Sequence, residues 1–300
     1  SDVCSSDLNR ENLKIVGEAG DGAESIRIAK ELEPDIVLMD INMPGMDGLT
    51  VTETLRKETP KIKVLVLSMH SSRDYVLRII KAGSDPEQVD VSPDGKVLFV
   101  ANEDIAQVSA IEAETGKTVA AIKVGGEPEG VNISPDGKHV YVTSEEDSTV
   151  HVIDVARPRA IRTIPVGPRP RTTTFLPDGS RAYVPAENGG EIRVIDTAAG
   201  KQVGVIKLTG ELQRPMGGVV SPDGKTLYMT TGRGKTVAII DTATNAHVGS
   251  IEVGERPWGI ALSPDGSTLF TANGPSNDIS IVDVASRTVK AKVKIGRVHV

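Results

Sequence analysis

Apolar positions along this chain follow two different rules, and the change falls within KAGSDPEQVDVSPDGK, residues 81–96. Before it, short apolar runs alternate with stretches whose apolar residues recur every three or four positions. LKIVGEA (13–19) reads as a strand. DGAESIRIAKEL (21–32) predicts a helix, with Ile26, Ala29 and Leu32 on one face and Asp21 near its start. DIVLMD (35–40) is a continuous apolar run ending in a carboxylate, the pattern of a buried parallel strand. GLTVTETLRKE (48–58) predicts a second helix, KVLVLSM (63–69) a third strand and SSRDYVLRIIKAG (71–83) a third helix. This alternation predicts an α/β parallel sheet.

After residue 84 one β-rich phrase repeats. Pro-Asp-Gly recurs at 93–95, 135–137, 177–179, 222–224 and 264–266, with spacings of 42, 42, 45 and 42. A proline opens each repeat, a strand leads to the S-P-D-G-K type turn, and a second strand follows. V-x-V-I-D then gives a third strand, and a turn leads into a fourth. Pro fixes φ, Asp bonds the nearby backbone and Gly accepts positive φ, so the tripeptide suits a tight turn. Four short strands per 42 residues predict a β-propeller of about five four-stranded blades, spanning approximately 86–127, 128–169, 170–214, 215–256 and 257–300. The 45-residue step places a three-residue insertion near 207–218, in an inter-blade loop.

The motif DIVLMDINMPGMDG, with GEAGDGAES and VLVLSMH, resembles the phospho-acceptor region of response-regulator receiver domains. The resemblance implies that Asp40 takes the phosphoryl group, that Ser68 senses it, and that Asp40 and the Asn42 backbone carbonyl help hold Mg²⁺. A carboxylate at the C-terminal end of a parallel strand lies where open α/β sheets bind ligands, and phosphoryl transfer needs cations to neutralise the oxygens. Candidates appear only for the second, third and fourth of a receiver's five strands. The acidic pair of the first strand should precede residue 13, where SDVCSSDL (1–8) resembles the translation of a sequencing-library adapter. The lysine of the fifth strand should follow KAGS, where the first repeat begins. Residues 9–84 are therefore expected to be an incomplete flavodoxin-like receiver fragment, with a vestigial Mg²⁺ site and no phosphorylation at Asp40.

Residues 85–300 resemble the YVTN family of β-propellers. SDPEQVDVSPDGK, GGEPEGVNISPDGK and NGPSNDISIVDVA are similar to the propellers associated with pyrroloquinoline-quinone-dependent alcohol catabolism. That resemblance implies an exported, periplasmic protein of seven blades, so five suggest truncation. The receiver resemblance implies the cytoplasm, and the join at 81–96 reads as a seam between unrelated sequences.

Composition narrows the function. Net charge is −7, divided as −3 over residues 1–84 and −4 beyond, so neither half has a nucleic-acid footprint. The single cysteine, Cys4, forms no intrachain disulfide, no apolar run reaches bilayer-spanning length and no signal peptide is visible. The five histidines lack zinc-ligand spacing, and G-x-S-x-G, C-x-x-C and P-loop motifs are absent. The residues flanking the opening prolines should gather at the central channel: Asp85, Glu127, Arg169, Arg214 and Arg256 before, and Glu87, Glu129, Arg171, Met216 and Trp258 after. Arg169, Arg171, Arg214, Arg256 and Trp258 form a candidate site for a small anionic ligand or a protein. The expectation is a non-enzymatic binding scaffold without a cofactor, Mg²⁺ entering only with a complete receiver. The alternatives are a response regulator with a propeller output domain and a lactonase- or quinoprotein-like propeller enzyme.

Overall fold

The computed structural model describes residues 16–40, 46, 48–59, 61–67 and 83–294, within two compact units, residues 1–79 and 80–300. In the first unit, α1 (Gly22–Leu32) begins where the Asp21 carboxylate accepts the Glu24 N–H at 2.9 Å. It ends at Glu33, whose left-handed backbone (φ 42°) returns an N–H to the Ala29 carbonyl. Then come β1 (Ile36–Asp40), α2 (Gly48–Glu58) and β2 (Lys63–Leu67). β1 and β2 pair in parallel, from Ile36 opposite Lys63 to Asp40 opposite Leu67. Ala29, Met39, Val51, Leu55 and Ile62 form the core between helices and strands.

Two expectations change here. Val16–Ala19 are irregular, so the described part of the expected strand 13–19 is not a strand. A strand persists only within a ladder, and no described residue pairs with these four. β1 is also less covered than a strand buried on both sides: Met39 is 2% exposed but Ile36 is 50% exposed. The expected helix 71–83 falls outside the described residues, apart from Gly83, which is irregular.

The second unit consists of five antiparallel meanders. Blade 1 is β3 (Pro86–Val91), β4 (Val97–Asn102), β5 (Gln107–Glu112) and β6 (Thr118–Lys123). Blade 2 is β7 (Pro128–Ile133), β8 (His139–Ser144), β9 (Thr149–Asp154) and β10 (Arg159–Pro165). Blade 3 is β11 (Thr174–Phe175), β12 (Arg181–Ala186), β13 (Glu191–Asp196) and β14 (Lys201–Lys207). Blade 4 is β15 (Gly218–Val220), β16 (Thr226–Thr230), β17 (Thr236–Asp241) and β18 (Ala246–Glu252). Blade 5 is β19 (Pro257–Leu262), β20 (Thr268–Asn273), β21 (Asp278–Asp283) and β22 (Thr288–Lys294). The inserted residues lie in the loop from β14 to β15, as the spacing predicts.

Two turns per blade explain the repeat. In Ser-Pro-Asp-Gly-Lys, Ser92 Oγ donates to Asp94 Oδ1 at 2.7 Å and accepts the Val97 N–H at 2.9 Å, while Asp94 Oδ1 accepts the Lys96 N–H. The five turn glycines have φ between 70° and 74°, a region costly for other residues. At the end of each V-I-D strand the aspartate accepts an N–H three residues on, as Asp154 does from Arg157 and Asp241 from Thr244. The cores lie between blades. Phe99, Val108 and Ile122 pack with Val131, Val140 and Ile153 of blade 2. Tyr141 meets Phe175 of blade 3 edge-on, with centroids 4.9 Å apart. Tyr183 packs with Leu227 and Met229, and Tyr228 with Leu269 and Val282. Because both faces of an interior strand are covered, β12 and β16 are buried at every position after the first rather than alternately.

The candidate site at the channel mouth

The innermost strands begin at one end of the propeller, and the residue before each opening proline sets the local geometry. Asp85, Glu127, Arg169 and Arg256 all take the left-handed conformation, with φ from 48° to 56°. Such backbone costs on the order of 1 kcal/mol per residue. Each is held by its carbonyl, which accepts an N–H from the residue just past the blade's second strand: Glu103, Glu145, Glu187 and Gly274 respectively. In blade 4 the insertion shifts this pattern. Leu212 is left-handed there, and Arg214 instead donates its N–H to the Thr231 carbonyl.

This arrangement brings in a third set of side chains that the proline pattern alone does not identify: Glu103, Glu145 and Glu187. They hold one phase of the repeat, following VLFVAN, HVYVTS and RAYVPA, and that shared phase is the signal available in the sequence. They decide the electrostatics. Arg171, only 7% exposed, is held by three carboxylates: Glu129 at 2.9 Å, Glu187 at 2.6 Å, and Glu145. Arg169 donates to Glu145 at 2.7 Å and lies 3.4 Å from Glu187. Arg214 donates to Asn188 at 2.7 Å. Arg256 pairs with no carboxylate among the described residues; its guanidinium stands 4.9 Å from the Trp258 ring centroid, and that of Arg171 5.8 Å from the same centroid. Thr143 donates to the Arg171 carbonyl at 2.8 Å and Thr230 to the Trp258 carbonyl at 3.0 Å, so each preceding blade fixes one of these residues.

Of the five expected ligand residues, the structure thus joins Arg169 and Arg171 to glutamates, sets Arg214 against blade 3, and leaves Arg256 and Trp258 as an open pair. The blade 1 end of this row is acidic. Asp85, Glu87 and Glu103 bring carboxylate oxygens within 4.8 Å of one another, a group able to hold a divalent cation. Burial pushes Glu87 up to about 7, helped by a hydrogen bond with Glu103 and the charges of Glu129, Glu103 and Asp85. Burial and Glu129 push Glu145 the same way, against the pull of Arg171 and Arg169. His151 accepts the Gly125 N–H at 3.0 Å and His247 accepts that of Thr209 at 3.1 Å, so both serve the loops. In the first unit Asp40 closes β1, at the C-terminal end of its pairing with β2. Asn42 and Ser68 lie outside the described residues. No helix among the described residues is long and apolar enough to cross a membrane.

Fold and site together define a receiver-type α/β segment followed by a β-propeller. Residues 2–86 match the response regulator receiver domain family. Residues 57–181 match the YNCE-like beta-propeller family, and residues 157–298 match the seven-bladed lactonase beta-propeller family. The chain therefore carries a receiver domain and β-propeller repeats in one polypeptide. Its first 86 residues include the adapter-like stretch within the receiver match, and the two matches overlap over residues 57–86. Over 73 residues the chain is 41% identical to the transcriptional regulatory protein LiaR of Bacillus subtilis, covering 24% of this chain and 35% of that protein. It is 40% identical over 74 residues to the response regulator GacA of Pseudomonas aeruginosa, covering 25% and 35%. The chain spans about a third of the length of these curated relatives. Among solved structures, hydrazine synthase of Kuenenia stuttgartiensis superposes with a TM-score of 0.60 at 27% identity, over 67% of this chain and 63% of that one.

Proposed function

We propose that the propeller is a non-enzymatic binding scaffold that takes a small anionic ligand on the basic side of the channel mouth. The observation that carries this reading is the contrast among the arginines. Arg169 and Arg171 are neutralised by Glu129, Glu145 and Glu187, whereas Arg256 rests on Trp258 with no carboxylate partner among the described residues. An aromatic face beside an unneutralised guanidinium suits a planar carboxylate. The likeness to exported propellers suggests a periplasmic setting, near quinoprotein alcohol oxidation, while a receiver belongs in the cytoplasm. We read the chain as a chimera of two sequences for that reason.

Trp258 is the single tryptophan, so its emission reports this spot. Titration of the full chain with citrate should give a saturable change in emission, lost in Arg256→Gln. No saturable change up to about 10 mM, beyond the weak end of ordinary affinities, sinks the reading. The lactonase family match and the raised Glu87 beside Asp85 and Glu103 favour a second reading, a propeller hydrolase. Turnover of simple lactones with added divalent cation, abolished in Glu87→Gln, would replace the scaffold with that enzyme.

A further inference from the structure

Two asparagines of this chain precede a glycine, Asn188 and Asn273, and the fold treats them in opposite ways. An Asn-Gly pair is the least hindered place for a backbone nitrogen to attack a side-chain amide, because glycine has no Cβ beside that nitrogen and lets the backbone turn. The product is a cyclic imide that water opens to an acid. Asn273 is closed to this reaction: it is 1% exposed, its Nδ2 donates to Asp278 Oδ1 at 2.8 Å and to Ser280 Oγ at 2.9 Å, and its Oδ1 accepts from the Thr271 hydroxyl at 3.0 Å. Turning towards Gly274 would break three hydrogen bonds in a buried place.

Asn188 is open to it. It is exposed, within the single 3₁₀ turn Glu187–Gly189 that joins β12 to β13. Among the described residues no acceptor holds its Nδ2. Its Oδ1 accepts an N–H from the Arg214 guanidinium at 2.7 Å, and the same Arg214 nitrogen lies 3.4 Å from the Glu187 carbonyl. A fixed cationic donor thus already points at the oxygen that would gain negative charge if the amide carbon were attacked. The residues in this phase of blades 1 and 2, following VLFVAN-Glu103 and HVYVTS-Glu145, are Asp104 and Glu146, both acids.

We propose that Asn188-Gly189 is a self-modifying site, at which Arg214 promotes conversion of Asn188 to an acidic residue paired with Arg214 itself. The Gly189 N–H loses its proton to hydroxide, and the freed electron pair forms a bond to Asn188 Cγ. The tetrahedral carbon holds its negative charge on Oδ1, against the Arg214 donor. Collapse breaks the Cγ–Nδ2 bond, and the nitrogen takes up a proton and leaves as ammonia. Water then opens the imide at one carbonyl or the other, giving aspartate or isoaspartate. Either product carries a carboxylate, so Arg214 becomes neutralised as Arg169 and Arg171 are. The step needs no ligand and makes no use of Arg256 or Trp258, so it stands or falls apart from the anion reading at the channel mouth.

Peptide mapping by mass spectrometry tests this on the full chain, aged at mildly alkaline pH and sampled over time, because one digest reads both asparagines. In the folded chain Asn188 should convert to aspartate and isoaspartate at least about tenfold faster than Asn273. Arg214→Gln should slow conversion of Asn188 by about tenfold, less than a buried oxyanion donor contributes because the site is open to water. Asn273 should stay an amide in that variant, which shows that the blades remain folded. The comparison within the parent chain stands even if the variant unfolds, which conversion of its Asn273 would reveal. In denaturant the two asparagines should convert at similar rates, and Arg214→Gln should change neither. Equal rates in the folded chain overturn the proposal, as does an Asn188 that keeps its amide. So do a rate at Asn188 that is unchanged or raised in folded Arg214→Gln, and a difference between the two sites that persists in denaturant.

Discussion

In the receiver segment β1 and β2 pair in parallel with α2 between them in sequence, whereas within each propeller blade every strand pairs with the next across a short connection. A parallel pair must be brought together through a crossover, and its other edge awaits strands from elsewhere in the chain. A meander closes its ladder locally, and its faces then need only the neighbouring blades, so energy is summed over nearest neighbours. The consequence is visible in exposure: Ile36 in β1 is half exposed, while interior blade strands are buried on both faces. An array of blades loses burial only at its ends, but a doubly wound sheet depends on every central strand.

The sharpest break of that comparison lies within the propeller. Tyr183 is fully buried between blades 3 and 4, and its counterpart Phe270 is partly exposed on blade 5. Tyr183→Ala should cost about 3–5 kcal/mol, the range for deleting a large buried aromatic, in chemical denaturation monitored at Trp258. Phe270→Ala should cost roughly a third of that, because its side chain is already 37% exposed. Equal costs would mean that nearest-neighbour coverage does not govern these blades.

How much of this was legible in the sequence follows from the same distinction. The period of 42 residues locates strands, turns and the insertion, because each blade repeats a local rule whose turn residues act within five positions, as Ser92, Asp94 and Val97 do. The meeting of the proline-flanking residues at the channel follows from that period. The saturation of Arg171 by three glutamates does not, since Glu145 and Glu187 arrive from second strands and only side-chain reach decides the pairing. The shift of the left-handed residue to Leu212 was hidden because an insertion of three residues has several ways to be absorbed. In the receiver segment, α1 was marked by its cap and α2 by its periodicity. The strand expected at 13–19 failed over Val16–Ala19, because an apolar run specifies strand potential and a ladder partner must supply the rest.

A smaller effect separates the acidic side of the channel from the exposed turns. Glu87 is raised from 4.5 to about 7, so between those values the folded chain keeps a proton that the unfolded chain has released. The stability tied to this group is full below about pH 4.5 and is lost as pH rises through about 7. The turn aspartates act in the opposite sense: Asp265, lowered to about 2 by Ser263 and Ser267, contributes stability above its ordinary range and loses it in acid. Denaturation midpoints should therefore fall from pH 5 to pH 8, and Glu87→Gln should flatten that slope. For a half-buried group the difference is about 1 kcal/mol after solvent screening. An unchanged slope in the variant would assign the pH dependence to Glu145, which burial and Glu129 raise in the same direction.

The smallest expected effect is no effect, and it falls on Asp40. The carboxylate-bearing end of β1 is where a receiver would accept a phosphoryl group, and β2 pairs beside it in parallel. Phosphoryl transfer also requires cationic groups placed around the oxygens as they develop charge. The strand expected to bring a lysine there should follow KAGS, but Pro86–Val91 is instead the first strand of blade 1, hydrogen-bonded to Val97–Asn102. That strand, Pro-Glu-Gln-Val-Asp-Val, holds no lysine, so it cannot bring the cation that the phosphoryl oxygens need. Incubation of the full chain with acetyl phosphate and Mg²⁺ should therefore leave its intact mass unchanged. A stable gain of one phosphoryl group that requires Mg²⁺ and disappears in Asp40→Asn would show that a cation reaches this carboxylate from another part of the chain. It would also turn the comparison around, making the shorter ladder the working one and favouring the reading of a receiver that governs a propeller.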